Sequence, residues 1–259
     1  MNGGWSAAMQ RDIFGRSLLL QSCWSFERMQ SLGFAHCLEP WLRRCWAGRG
    51  EELRAARLRH QEYFNTQPYV ASLVVGMVCA LEEEAAAAPD AERPAKVERL
   101  KALKFAAASA LAGLGDALFW GALRPFCAAL ALAGALALSP WGPWAAAWAA
   151  GAYLLVYNGV AMTFRWRCLR LGYEWKDQIA VRLQSWRGQR LIRGLRVGGL
   201  VLGAAAAVLM LRLVPPPQRL LGLLALAAGL GLREAGVSAY RLYAGAAAAG
   251  AAASWAGWL

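Results

Sequence analysis

From Trp141 to Phe164 the chain carries no charged side chain. A helix needs roughly 20 predominantly apolar residues to cross a hydrocarbon core of about 30 Å, and this run is long enough. Lipid offers no water to backbone N–H and C=O groups, so a spanning segment must be a helix or part of a closed barrel. A second run, Leu195–Leu211, reaches spanning length with its flanks if Arg196 snorkels, and the Ala-rich tail Leu242–Leu259 is a third candidate. The pattern predicts an all-α, polytopic membrane protein.

Charge supports that class. Only 17% of residues are charged and 58% are hydrophobic, against about 25% charged in a soluble domain. The deficit begins after residue 104. A net charge of +12 invites a nucleic-acid reading, but its distribution argues against one. Basic residues crowd the stretch from Arg165 to Arg196, between two apolar spans, and Arg43, Arg44, Arg49, Arg54, Arg57 and Arg59 mark the N-terminal part. Basic loops between spans are those retained in the cytoplasm. Contact with membrane lipid is expected, and contact with nucleic acid is not. The six cysteines show no CxxC pair and read as small, reduced hydrophobes without a metal site. The first twenty residues are interrupted by Arg11, Asp12 and Arg16, so no signal peptide is expected.

Three regions follow. Residues 1–67 read as amphipathic helices on the cytoplasmic surface, with Leu18, Leu19, Phe26, Met29 and Phe34 at helical spacings and Trp5, Trp24, Trp41 and Trp46 suited to a membrane–water boundary. Residues 68–173 read as a core of short, broken membrane helices and one long span. Pro68–Leu81 is too short to cross and suits a re-entrant or half-spanning helix, with Thr66 as its cap. A hydrophilic connector over 85–104 leads to the apolar pieces Phe105–Trp120 and Pro125–Leu138. Residues 174–259 hold the basic loop and C-terminal membrane helices, broken at Pro215-Pro216-Pro217. Broken helices at membrane depth are tolerated where they are buried in protein or line a cavity, and transporters use them to hold substrate.

The candidate site residues are few. Asp116, in Gly113-Leu114-Gly115-Asp116, is a carboxylate among apolar residues. It is either functional or the cap of a helix starting at Ala117. Intramembrane aspartyl proteases share the Gly-x-Gly-Asp spelling but need a second membrane aspartate, and Asp12, Asp90 and Asp177 all lie in polar segments. His60, Asn65 and Thr66 sit in a polar stretch whose side chains can donate to and accept from sugar hydroxyls, or can satisfy helix ends. Glu82 opens the triplet Glu82-Glu83-Glu84 at a helix C-terminus, where the dipole disfavours acids. Burial of one of them against a sugar or an arginine would explain the placement. Trp120 can cover an apolar sugar face, and Asn158 can hydrogen-bond between helices. No nucleophile–base pair, phosphate cradle or metal cluster stands out, so neither catalysis nor a cofactor is expected.

Four blocks carry a family resemblance. Gln21-Ser22-Cys23-Trp24-Ser25-Phe26-Glu27-Arg28-Met29-Gln30-Ser31-Leu32-Gly33-Phe34 resembles the pattern Q-x-x-W-N-F-E-R-M-Q-x-x-G-F, with Ser25 in place of the usual Asn. Arg59-His60-Gln61-Glu62-Tyr63-Phe64-Asn65-Thr66-Gln67-Pro68 is similar to R-H-x-x-F-F-N-T-x-P. Ala80-Leu81-Glu82-Glu83 follows, and then Leu111 through Trp120, running on to Arg124-Pro125, with Asn158 and Gly172-Tyr173 as weaker landmarks. Together these resemble the IID component of the mannose/fructose/sorbose family of the bacterial phosphotransferase system. Ala108-Ser109-Ala110 stands where the family usually has Met-Gly-Pro, and the C-terminal third is short.

The resemblance implies a multi-pass protein of the bacterial inner membrane. It implies a IIC partner, with which the chain forms the path that binds and moves a hexose, and an assembly of three IIC–IID pairs. A separate IIB subunit, phosphorylated through IIA, then phosphorylates the sugar. His60, Asn65, Thr66, Glu82 and Asp116, followed by Trp120 and Asn158, are the residues expected to line or shape that path. The alternative is a membrane scaffold or regulatory subunit that has lost transport.

Overall fold

The computed structural model describes residues 4–185, 188–213 and 215–255. Their backbone is helical apart from turns and two isolated bridges, Ser25 with Met29 and Met29 with Phe64. The helices are α1 (Ala7–Ser17), α2 (Ser31–Cys45), α3 (Gly50–His60), α4 (Ala71–Ala87), α5 (Arg93–Gly115), α6 (Arg124–Ala137), α7 (Trp144–Trp175), α8 (Ile179–Ser185), α9 (Gly188–Leu213), α10 (Pro216–Glu234) and α11 (Ala239–Trp255). A π-helical segment, Asp116–Leu123, joins α5 to α6. Contacts divide the chain into two units, Met1–Gly203 and Ala204–Leu259.

Among the described residues three helices are long and apolar enough to cross a membrane: Arg93–Ala137, Trp144–Gln178 and Gly188–Leu213. The third contains the run Leu195–Leu211, and the second takes up the charge-free run from Trp144, Trp141 ending a short 3-10 turn before it. The first corrects the expectation of separate pieces. The hydrophilic connector is helical from Arg93, and Pro125 follows the π segment directly, inside the same continuous helical run. The Ala-rich tail is not among these spans; α11 ends at Trp255, and residues 256–259 lie outside the described residues. The stretch between the apolar runs is not a loop either, because α7 continues through Arg165, Arg167 and Arg170 to Trp175.

The short apolar helix α4 is the hub of the first unit. Residues Ala71–Glu82 are all buried, so its polar ends must find partners inside the protein. Thr66 does not cap it: the N-cap position is Val70, and Gln67 Oε1 instead holds the turn leading in, accepting the N–H groups of Tyr69 (2.8 Å) and Val70 (3.2 Å). α2 lies against it with Phe34, Cys37, Leu38, Trp41 and Leu42 buried. Trp41 Nε1 donates to the Cys79 carbonyl at 2.6 Å. Trp41 and Trp46 are therefore core residues, 0% and 1% exposed, and not boundary anchors, because α4 gives each indole N–H an internal acceptor. Leu18, Leu19 and Phe26 fall in turns between α1 and α2 and are exposed. Burial pushes the Cys37 thiol up to about 12, which keeps it protonated and inert.

In the second unit, α10 ends in a left-handed glycine. Gly236 has φ +88°, and the Val237 N–H reaches back to the Leu232 carbonyl at 2.9 Å, satisfying a terminal acceptor.

Candidate functional site

The acidic triplet near the end of α4 ties three elements together. Glu82 is fully buried and receives Arg59 Nε at 2.7 Å, Arg59 Nη2 at 2.9 Å, Trp46 Nε1 at 2.8 Å and His60 Nε2 at 2.8 Å. Glu83 accepts from the Tyr173 hydroxyl of α7, and Glu84 pairs with Lys176 just beyond it. The arginine expected as a partner for one of these acids is Arg59, the chain neighbour of the candidate His60.

Electrostatics fixes the protonation of this centre. Burial pushes the Glu82 carboxyl up, but hydrogen bonds from Arg59 and His60 outweigh it and hold the carboxyl at about 2. Burial also holds His60 below the ordinary imidazole value, against the pull of Glu82. A neutral His60 that donates Nε2–H to Glu82 leaves Nδ1 as an acceptor. This agrees with an Nδ1 that is buried and has no partner, where a proton would be a stranded donor. Arg59 carries the compensating charge. Its carbonyl takes Lys104 Nζ at 2.8 Å, which binds α5 to the end of α3.

Residues 61–69 leave this centre and run towards the π segment. Gln30 clamps them in both directions, accepting the Thr66 N–H at 3.2 Å and donating to the Thr66 carbonyl at 2.8 Å. Arg165 of α7 donates to the Pro68 carbonyl at 3.2 Å and to the Ser17 carbonyl. Gln67 then lies against Gly115: a Cβ there would come within 2.6 Å of Gln67 Cβ. The Tyr69 ring packs on Phe119 at 4.8 Å, on Tyr157 at 6.0 Å and on Trp120 at 6.2 Å. The two sequence motifs, distant along the chain, therefore share one location.

What that location exposes differs from what it buries. Asn65, Asp116, Trp120 and Asn158 are exposed, whereas His60, Thr66 and Glu82 are buried. Thr66 Oγ1 and Gln67 Nε2 are buried without a partner among the described residues. Asp116 does not cap a helix. It sits within a continuous helical run, its own N–H bonded to the Ala112 and Gly113 carbonyls. Among the described residues its carboxylate has neither an ion pair nor a hydrogen bond. Asn158 does not bridge helices within this chain; it donates to the Leu154 carbonyl of its own helix at 2.8 Å. Arg196 does not snorkel but donates to the Gly121 carbonyl of the π segment at 3.2 Å.

The π segment itself was not foreseen. Such widened turns concentrate at functional sites, but no residue type announces one. Gln30, Gln67, Lys104 and Arg165 were likewise missed as partners. Gln30 and Gln67 lie within the recognised motifs, and an arginine at the end of an apolar run was the remaining signal for Arg165.

Comparison with known proteins places this geometry in context. Residues 6–213 match the family model described as the PTS system mannose/fructose/sorbose family IID component. The chain is similar to the mannose-specific EIID component of the PTS of Escherichia coli K12, at 35% identity over 75% of this chain and 65% of the relative. It is 31% identical to the sorbose-specific EIID component of Klebsiella pneumoniae, over 74% of this chain and 64% of that one, and 31% identical to the fructose permease IID component of Bacillus subtilis, over 74% and 66%. The chain thus spans slightly less than two thirds of the length of these relatives. Among solved structures it resembles one described as a membrane protein, with a TM-score of 0.73 and 27% identity over 98% of both chains. A second resemblance is to a chain of the mannose transporter ManYZ in complex with microcin E492, with a TM-score of 0.57 and 28% identity over 98% of this chain and 97% of that one.

Proposed function

From the premise that this chain belongs to the mannose/fructose/sorbose-family IID components of the phosphotransferase system, we propose that it is the IID subunit of a hexose transporter. In this reading it forms the translocation path with a IIC membrane partner and performs no catalysis of its own. A IIB subunit charged through IIA phosphorylates the sugar, and three IIC–IID pairs make up the complex. The chain is a multi-pass protein of the inner membrane, and its three long apolar helices supply the crossings.

One observation carries the reading. Asp116 stands within the apolar part, from Phe105 on, of the long helix Arg93–Ala137, exposed and, among the described residues, unpaired. A carboxylate facing lipid at that depth is costly, and intramembrane carboxylates face a bundle interior or a water-filled path. The first unit does not cover it, so a partner subunit or a hydrated sugar path does. The residues around it suit a sugar. Asn65 and Asn158 carry exposed amides, and Trp120 carries an exposed ring for an apolar sugar face. His60 and Glu82 serve the path indirectly, by fixing the chain that leads to Asn65.

The test is co-expression with the IIC partner, purification in detergent and equilibrium binding of radiolabelled hexoses. Saturable binding that requires both subunits and weakens with Asn65→Ala supports the reading. A stable complex that binds no hexose favours the scaffold alternative.

A further inference from the structure

Between α4, α5 and α7 lies a partly open cavity of about 490 Å³, within the span of about 300–1,000 Å³ usual for small-molecule sites. Its wall is apolar almost throughout, with Leu73, Leu111, Leu118, Phe164, Leu171 and Trp175 among the lining residues. It contains none of the residues assigned to the sugar path. Water needs two to four polar partners to settle in a cavity, and this one offers few. A hydrocarbon chain needs none.

Its charged lining residue is Arg167. The other basic residues at this end of α7 are engaged: Arg165 with Ser17 and Pro68, Arg170 with Glu174 at 2.7 Å, and Lys176 with Glu84. Arg167 is exposed and has no ion pair or hydrogen bond among the described residues.

Depth adds a third constraint. The charge-free part of α7, Trp144 to Phe164, extends about 30 Å at 1.5 Å per residue, the thickness of the hydrocarbon core. Gly159, Val160 and Phe164 of the cavity wall then lie at hydrocarbon depth, while Leu171 and Trp175 continue the wall past Arg167. Arg167 lies one turn beyond, in the headgroup layer of the basic, cytoplasmic face, where anionic lipids concentrate. A guanidinium with free donors partway along the wall of an apolar cavity is complementary to a phosphate whose acyl chain fills the part of the cavity at hydrocarbon depth.

We propose that this cavity holds an acyl chain of an anionic phospholipid whose phosphate pairs with Arg167. The full chain, purified in detergent, is titrated with phosphatidylglycerol or with phosphatidylcholine of the same acyl composition, and bound lipid is counted by native mass spectrometry. One phosphatidylglycerol per chain is expected. Arg167→Gln weakens its retention about tenfold, equivalent to roughly 1.4 kcal/mol. Val160→Trp, at a position that lines the cavity and is 43% exposed, fills the space and lowers retention of both lipids. Excess inorganic phosphate leaves the lipid bound. Equal retention of the two lipids, retention unchanged in both variants, displacement by phosphate, or displacement by the IIC partner would each overturn the proposal. No sugar and no partner are needed for the lipid titration itself, so its failure would leave the transport reading untouched.

Discussion

Gly76 of α4 and Gly172 of α7 lie where the two helices cross with their backbones in contact. A Cβ on Gly76 would stand 2.0 Å from the Leu169 carbonyl oxygen, and one on Gly172 would stand 2.0 Å from that of Leu73. Close approach at small residues is how membrane helices gain packing when lipid removes the hydrophobic drive between them. This crossing holds Glu83 beside Tyr173 and Glu84 beside Lys176.

The crossing predicts that Gly172→Ala is severely destabilising, since backbone and not a flexible side chain must move. Overpacking of this kind costs about 1–3 kcal/mol. Gly134→Ala in α6, where nothing lies within 4 Å, should be neutral or slightly stabilising. Thermal unfolding midpoints in detergent compare the two, and equal midpoints would refute the packing account.

Removing the acid at the buried centre strands Arg59. Glu82→Gln should therefore cost about 3–5 kcal/mol, the usual effect of breaking a buried pair. The double substitution Glu82→Leu with Arg59→Met should be milder than Glu82→Gln alone, because no uncompensated charge remains. Chemical denaturation of the three variants reads the order directly.

Acid sensitivity follows from the same centre. Glu82 is held at about 2, below its ordinary 4.5, and His60 is held below its ordinary 6.5. Both folded values are depressed, so the unfolded chain takes up protons first and stability falls as pH falls. The His60 contribution is complete above about 6.5 and declines below it. The Glu82 contribution declines from about 4.5 towards 2. The wild-type midpoint should drop between pH 7.5 and pH 5, and His60→Gln should start lower but lose less over that interval. A wild-type midpoint flat across it would show that folding leaves the imidazole's proton affinity unchanged, and one that rises would show an imidazole charged in the folded state.

Asp116 has no partner among the described residues, so Asp116→Asn should leave the unfolding midpoint unchanged. In cells that also carry the IIC partner, hexose uptake should fall at least about tenfold, as expected when a charged hydrogen bond is lost. Unchanged uptake would remove Asp116 from the sugar path, and a lowered midpoint would show a structural role instead.

Exposure distinguishes the cysteines. Cys23 is exposed, whereas Cys37, Cys79, Cys127 and Cys168 are buried. A maleimide should modify Cys23 rapidly in the folded protein and reach those four only after unfolding, as peptide mass spectrometry would show.

Much of the fold was legible because lipid is a demanding solvent. The charge-free run to Phe164 and the apolar run ending at Leu211 could be little other than helices. Local signals misled where chain neighbours and spatial neighbours differ. Glycines, Asp116 and Pro125 suggested breaks between apolar pieces, yet one helical run passes through all of them, its register adjusted by a π segment that no composition reveals. Trp41 and Trp46 suggested a membrane boundary, and only the acceptors offered by α4 explain their burial.

The sequence by itself determined the helical class, the two apolar crossings, the family and the short motifs that carry the candidate site. Hydropathy and motif spelling act over neighbouring residues and can be read along the chain. Tertiary structure alone decided that Glu82 belongs to Arg59, that Gln67 lies on Gly115, and that Asp116 is left facing outward while His60 is sealed inside. Those outcomes depend on which backbones can approach most closely, and that is settled where Gly76 meets Gly172, far apart in the chain and in contact only once it has folded.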